Sequence, residues 1–295
     1  LTSFSKAFIL EQINSRRGGA LETKEKSEVF TMSEGKLHVS RLPGQPGILY
    51  FIFDNPPMNQ FTTDMWKQLT AELRKARVDE TVKVVVLTGA GERAFSAGLS
   101  MEMLDNLKDD EDAALIYACG LELREALHAL DKPVIAAVKG NCVGGGLEVA
   151  LCCDMIVAAE GSKFMLPEMN IGLVPGCGGA IQLLSRIAPN KAFEMILFSQ
   201  RITADEALSL GLINRVYPKE TFDDDVRALC EDIMKKPPVA VRALKELAAA
   251  VRNGANHAAA LAVERRHAVD LMRTEDFKEA VKAFREKRTP VFKGR

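Results

Sequence analysis

Two glutamates hold positions from which a carboxylate can move protons. Glu148 ends the run Gly140-Asn-Cys-Val-Gly144-Gly145-Gly146-Leu-Glu148, which follows the apolar stretch Val134 to Val138. Glu168 follows Pro167 and precedes a second glycine-rich run, Gly172-Leu-Val-Pro175-Gly176-Cys-Gly178-Gly179. A carboxylate beside a reacting centre serves as general acid or base. Glycines next to it let backbone N–H groups approach a ligand with no Cβ in the way. Where such a turn opens a helix, the unpaired N–H groups and the helix dipole suit a developing oxyanion. Alone, either glutamate is also what a surface residue near a turn looks like. Two of them, each tied to a glycine-rich turn, make a stronger case.

A third segment, Ala94-Phe-Ser-Ala97-Gly98-Leu99-Ser100, follows the β-branched run Val82 to Thr88. Open α/β sheets bind ligands at the carboxyl ends of their strands, although a simple loop reads the same way. Other chemistries find less support. His38, His128, His257 and His267 are scattered without metal-ligand spacing, and no metal site is expected. His128 and His267 fall on predicted helices and read as surface or core residues. The glycine run is neither a dinucleotide fingerprint nor a phosphate-binding P-loop. No G-x-S-x-G elbow is present for a serine hydrolase.

The elements that must position these residues follow from periodicity. Leu37 to Leu42 and Ile48 to Phe53 read as strands joined by a Pro/Gly turn. Thr62 to Arg77 is an amphipathic helix with Met65, Leu69, Leu73 and Ala76 on one face. Val82 to Thr88, Val134 to Val138 and Met155 to Ala159 are buried strands. Met101 to Leu107, Ala113 to Leu130 and Leu147 to Cys153 are helices, with Pro133 stopping the second. Alternation of strand and helix to about residue 200 is α/β logic with parallel crossovers. Thr203-Ala-Asp-Glu206 is a capping box opening a short helix that Gly211 closes. Beyond Pro218 the chain reads as helical, with Val239 to Val251, Ala258 to Leu271 and Glu275 to Lys287 the clearest segments. Their apolar stripes need a partner surface, which another subunit can supply.

The 295 residues suffice for one large domain or two unequal ones, and the apolar fraction of 47% supports a sizeable core. The 39 basic and 40 acidic residues leave a net charge of -1, which builds no bulk surface for nucleic acid or membrane. No apolar run is long enough to span a membrane. The six cysteines form no C-x-x-C pair and read as reduced thiols of an intracellular protein. Residues 1–35 are solvated in character and are expected to be an N-terminal extension; Glu11, Glu22, Glu25 and Glu28 weigh against a transit peptide.

Asn55-Pro-Pro-Met-Asn59, Ala94 to Gly98, Gly144-Gly-Gly-Leu-Glu148 and Pro167-Glu168 with Pro175-Gly-Cys-Gly-Gly179 occur in the order and spacing of the crotonase superfamily. The chain resembles its enoyl-CoA hydratases from Leu37 to Arg295. The resemblance implies an α/β spiral of ββα units over residues 36–230 and a helical trimerisation region over 231–295. It implies a homotrimer, or a hexamer made of two trimers, acting on an acyl-CoA thioester in a bacterial cytoplasm or the mitochondrial matrix. It carries Glu148 and Glu168 over as the catalytic pair and the N–H groups of Leu99 and Gly145 as an oxyanion hole. Pro57, Asn59, Ala97, Gly98, Ser100, Gly144, Pro167, Gly176, Phe284 and Lys287 match CoA- or substrate-binding positions. The implied reaction is reversible addition of water to a 2-enoyl-CoA, with no cofactor because coenzyme A is part of the substrate. Isomerases, cyclic dienoyl-CoA hydratases and CoA-ester hydrolases share the family, as do some RNA-binding or scaffolding relatives. Ser100 replaces an acidic residue and Leu147 a smaller one found in many relatives, which leaves substrate preference open.

Overall fold

The computed structural model describes residues 35–42 and 44–295. The expected N-terminal extension therefore lies almost wholly outside the described residues. The described residues open with β1 (Lys36–Leu42), β2 (Gln45–Asp54) and α1 (Thr63–Val78), then β3 (Val84–Gly89), β4 (Ala94–Ser96), α2 (Met101–Asp105) and α3 (Asp110–Ala129). Next come β5 (Val134–Val138), β6 (Asn141–Val143), α4 (Gly145–Leu151), β7 (Met155–Ala159), β8 (Lys163–Met165), α5 (Gly179–Arg186) and α6 (Pro189–Leu197). The last part holds β9 (Ile202–Thr203), α7 (Ala204–Ser209), β10 (Arg215–Tyr217), α8 (Phe222–Met234), α9 (Pro238–Arg252), α10 (His257–Leu271) and α11 (Glu275–Glu286).

Two sheets result. Six strands form the larger, in the order β1-β2-β3-β5-β7-β10, and four form the smaller, in the order β4-β6-β8-β9. Apart from the antiparallel β1–β2 hairpin, the larger sheet is parallel. Each of β3, β5 and β7 hands the chain to a short strand of the second sheet, then to helix, which is the expected ββα unit repeated. The short strands are the main departure from the sequence reading, which made residues 94–100 a loop and 140–146 a turn. Three residues carry too little period-two pattern to be read as strand. What makes them strands is pairing with one another, Asn141 against Ala94 and Lys163.

The larger sheet is covered on both faces, which is why its strands are almost wholly apolar. Alternate residues turn to opposite sides. Phe51, Val85, Leu87, Ala136 and Ile156 join a core shared with α1 and α3. Ile48, Val84, Val86, Ile135 and Val157 pack under Phe222, Val226 and Leu229 of α8. The expected domain boundary after residue 230 thus falls inside a helix that belongs to the core. The change of structure comes instead at Lys235 to Pro237, between α8 and α9.

Local signals close the helices as their chemistry dictates. Thr62 caps α1 by accepting from the Met65 N–H at 3.2 Å, and Thr203 and Glu206 form the reciprocal capping box of α7. Asp154 ties α9 to the sheet. It accepts from the Val134 N–H at 2.8 Å, from Lys245 Nζ at 2.5 Å and from Arg252 Nη1 at 3.3 Å. Removing one partner of a buried ion pair leaves the other charge uncompensated, at a cost of about 3–5 kcal/mol. Asp154→Ala is therefore expected to lose that much in a denaturant titration. A loss under about 1 kcal/mol, the range of an exposed pair, would contradict this role.

Candidate active site

Glu148 sits in the first turn of α4, whose entry is set by β6 and the three glycines. That entry is held to the end of β8 by the Gly144 N–H, which donates to Met165 O at 2.9 Å. Gly146 allows α4 to lie against β4, since a Cβ there would stand 2.2 Å from Ser96 O. Glu148 is only 6% exposed. Its Oε1 accepts from the N–H groups of Cys177 at 2.8 Å and Gly179 at 2.9 Å. Burial raises its pKa above the usual carboxylate range, and these two donors offset part of that rise. Both donors fall on Oε1, so among the described residues Oε2 has no protein donor.

Glu168 begins a 3-10 turn, Glu168–Ile171, that follows β8. Its Oε2 is buried without a hydrogen-bond partner. Burial pushes its pKa to about 7; its own backbone N–H opposes the rise and the charge of Glu148 adds to it. The two carboxyls are brought together by the second sheet, because β6 precedes Glu148 and the neighbouring β8 precedes Glu168. A Cβ on Gly144 would stand 3.2 Å from Glu168 Oε1, so this carboxyl lies directly against the entry of α4.

Two backbone amides meet at the same place. Gly98 has φ +84°, and a Cβ there would come within 2.7 Å of the Gly145 nitrogen. Only glycine lets the 97–99 segment approach the helix terminus this closely. The Leu99 nitrogen in turn lies 3.6 Å from the Cβ position of Gly145. Phe61 N–H donates to Gly98 O at 2.7 Å, and Ser100 N–H donates to Phe61 O at 3.1 Å. That parallel bridge turns the Leu99 N–H away from Phe61. The Gly145 N–H is the first of α4 and has no acceptor within the helix. The arrangement offers two open N–H donors at a positive helix end, beside two buried carboxyls.

The remaining sequence-derived positions divide by what they touch. Ala97 N–H donates to Met58 O at 3.0 Å. Ser100 caps α2, its Oγ accepting from the Met103 N–H at 3.3 Å. Asn59 is buried and its side chain is engaged: Nδ2 donates to Ala90 O and Ala94 O, and Oδ1 accepts from the Asn55 N–H. It holds the 55–59 loop to the segment leading into β4. Pro57 and Gly176 are exposed, while Pro167 accepts from the Asn170 N–H at 2.9 Å and shapes the turn at Glu168. Phe284, 85% exposed, and Lys287 lie on or just past α11 and do not line the cleft.

The sequence reading missed the far wall of the site. A small cavity is lined by Gly145 and Glu148 of α4, by Trp66 of α1 and by Gly120, Leu123, Arg124 and Leu127 of α3. The available signal was Gly120, Arg124 and His128 at four-residue intervals, a stripe on a helix whose other side is core. His128 is half-buried with its pKa pushed down to about 4, chiefly by burial and then by nearby arginines and Lys245. Cys177 also lines the cleft, but burial and the Glu148 charge push its thiol pKa up. A thiolate nucleophile is disfavoured there.

Carboxyls with raised pKa beside paired backbone donors define an acid–base site for substrates whose oxygen gathers negative charge. The relatives bear on which substrates. A family model described as enoyl-CoA hydratase/isomerase matches residues 44–295. A probable enoyl-CoA hydratase of Bacillus subtilis is 34% identical over 81% of this chain and 93% of its own length. A carnitinyl-CoA dehydratase of Citrobacter koseri is 35% identical over 90% of this chain and 100% of its own. Among solved structures, an enoyl-CoA hydratase from Bacillus anthracis superposes with a TM-score of 0.83 at 30% identity, covering 88% of this chain and 99% of that one. Pseudomonas aeruginosa DspI gives 0.82 at 31% identity, covering 91% and 100%. The chain belongs to the enoyl-CoA hydratase/isomerase family, the crotonase superfamily, and has its fold. It is an enzyme of that family, whose members act on acyl-CoA thioesters. Among the described residues no helix is long and apolar enough to cross a membrane.

Proposed function

We propose that the protein is an enoyl-CoA hydratase, adding water reversibly to a 2-enoyl-CoA to give the 3-hydroxyacyl-CoA. The observation that carries this is the pair of carboxyls at one helix entry, Glu148 in the first turn of α4 and Glu168 against Gly144 just before it. The thioester oxygen is held by the N–H groups of Leu99 and Gly145. Glu148, through Oε2, takes a proton from the attacking water, which adds to the β-carbon. The enolate that forms collects its charge on the thioester oxygen and is discharged when Glu168 delivers a proton to the α-carbon. Donors already in place stabilise that charge without reorganisation. No metal or redox group enters this scheme, and coenzyme A arrives with the substrate.

The helical C-terminal region leaves Leu244, Val251 and Met272 more than half exposed. Val174, Phe193 and Phe198, near the Glu168 turn, are exposed too. Apolar faces of this kind support a homotrimer or hexamer. The outward position of Phe284 and Lys287 fits a CoA contact made to a neighbouring subunit, with the lysine meeting a phosphate.

The assay is loss of the conjugated thioester absorbance of crotonyl-CoA. No loss with any acyclic enoyl-CoA would contradict a hydratase. The pH profile carries a second expectation. Each turnover transfers one proton to Glu148 and one from Glu168, so both directions need the pair to hold a single proton. With Glu168 titrating at about 7, raising the pH above it strips that proton. kcat/KM should therefore fall about tenfold per pH unit on the alkaline side, equally for hydration and dehydration. A flat profile between pH 6 and about 9 would contradict the shared proton.

A further inference from the structure

The far wall of this cavity holds two hydrogen-bond donors that no group among the described residues accepts from. Arg124 Nε is buried without an acceptor, and so is Trp66 Nε1. Trp66 is 1% exposed. Both groups only donate, and among the described residues no carboxylate pairs with Arg124. Its Cδ, Nε and Cζ lie 3.1, 3.2 and 3.6 Å from the Cβ position of Gly178. The guanidinium therefore rests on the Cys177–Gly179 backbone whose N–H groups hold Glu148. Lys245 by contrast pairs with Asp154, Arg186 donates to Leu151 O and Cys153 O, and Arg252, whose Nε and Nη2 are also buried without an acceptor, pairs with Asp154 through Nη1.

Position decides what meets these donors. Under the hydratase reading, the thioester oxygen lies at Gly145 and the β-carbon at Glu148. Arg124, which rests on the backbone that holds Glu148, therefore meets the substrate from its γ-carbon outward, while the Trp66 ring closes the cavity against Gly145. An alkyl chain there would leave the Arg124 Nε–H and the Trp66 indole N–H unpaired, which is unfavourable. A carboxylate accepts from both, and arginine is the residue best shaped to receive it.

Resting on that reading, we propose that Arg124, assisted by Trp66, selects acyl groups ending in a carboxylate. The preferred substrate is then the monothioester of a short unsaturated dicarboxylic acid. The same guanidinium repels a quaternary ammonium, so the acyl group of carnitine is a poor occupant, although carnitinyl-CoA dehydratases are among the relatives.

Three thioesters that differ only at C4 test this: crotonyl-CoA, its 4-carboxy derivative and its 4-trimethylammonio derivative. Wild type should give the highest kcat/KM with the carboxy compound and the lowest with the ammonio compound. Arg124→Met, which keeps the length of the side chain, should lower the carboxy-to-crotonyl ratio by about 10- to 100-fold. Arg124→Lys should restore part of it. A separate arm needs no turnover: binding of glutaryl-CoA and butyryl-CoA measured by calorimetry. Glutaryl-CoA should bind more tightly to wild type, and Arg124→Met should abolish that difference. Equal affinities, or a difference that survives in Arg124→Met, would overturn the assignment of Arg124. Selective binding of glutaryl-CoA without hydration of any of the three enoyl thioesters would sink the hydratase reading alone.

Discussion

Replacing Glu168 by Gln should lower kcat for hydration by about 100- to 10,000-fold, the range of a positioned general acid. The side chain keeps its size and its place on the 3-10 turn, so the loss is one of proton delivery. Glu168 suits that task because its environment holds a proton near neutrality. Oε2 has no donor, and burial raises the pKa to about 7. An ordinary exposed carboxyl would be almost wholly ionised at that pH and could not act as an acid. Glu148→Ala should lose a comparable factor for a different reason, since water then lacks its base and its anchor. It should also loosen the Cys177–Gly179 segment, whose N–H groups lose their acceptor. Turnover of either variant within a few-fold of wild type would remove that residue from the mechanism. The alkaline limb of kcat/KM should disappear in Glu168→Gln even where residual activity is measurable.

The second large effect comes from a single hydrogen. Gly145→Pro deletes one of the two open N–H donors while leaving α4 able to form. Gly145 is the first residue of the helix, where proline is well tolerated. Gly144 before it has φ 54° and ψ -129°, which is not the α region that proline disfavours in its predecessor. A Cβ at Gly145 would meet its nearest neighbours at 3.4 to 3.7 Å, ordinary contact distances. Loss of one oxyanion donor is expected to reduce kcat by about 100- to 1,000-fold. Gly145→Ala adds the same Cβ and keeps the N–H, so it should lose far less. Affinity for free coenzyme A, which has no thioester oxygen, separates a lost donor from a blocked cleft. Equal kcat losses in the proline and alanine variants would show that the Cβ, not the missing hydrogen, is responsible.

The parts of this site that were legible in the sequence are those with a local signature. The Gly144–Gly146 triplet, Glu148 and the Pro167-Glu168 step each occupy a few consecutive residues. The capping box at Thr203 and the buried strands were legible for the same reason. The second sheet was not, because β4, β6 and β8 have three residues each and gain their identity only from pairing across about twenty to fifty positions. The expected boundary at residue 230 falls within α8, a helix that looks amphipathic whether it covers the sheet or begins a helical tail. Asn59 shows the limit of matching by position: its side chain is spent bracing backbone. Arg124 and Trp66 stand on different helices and share no motif. Their common feature, an unused buried donor, exists only once α1 and α3 are packed against α4.

In the proposed mechanism one water is divided between two carbons of the substrate by two carboxyls. This division is tested most directly by running crotonyl-CoA through the wild-type enzyme in deuterated water enriched in oxygen-18, then analysing the product by mass spectrometry and NMR. The expected product is 3-hydroxybutyryl-CoA with heavy oxygen on C3 and deuterium on C2, on one face of that carbon. Release of free coenzyme A, migration of the double bond without added oxygen, or deuterium distributed over both faces of C2 would contradict it.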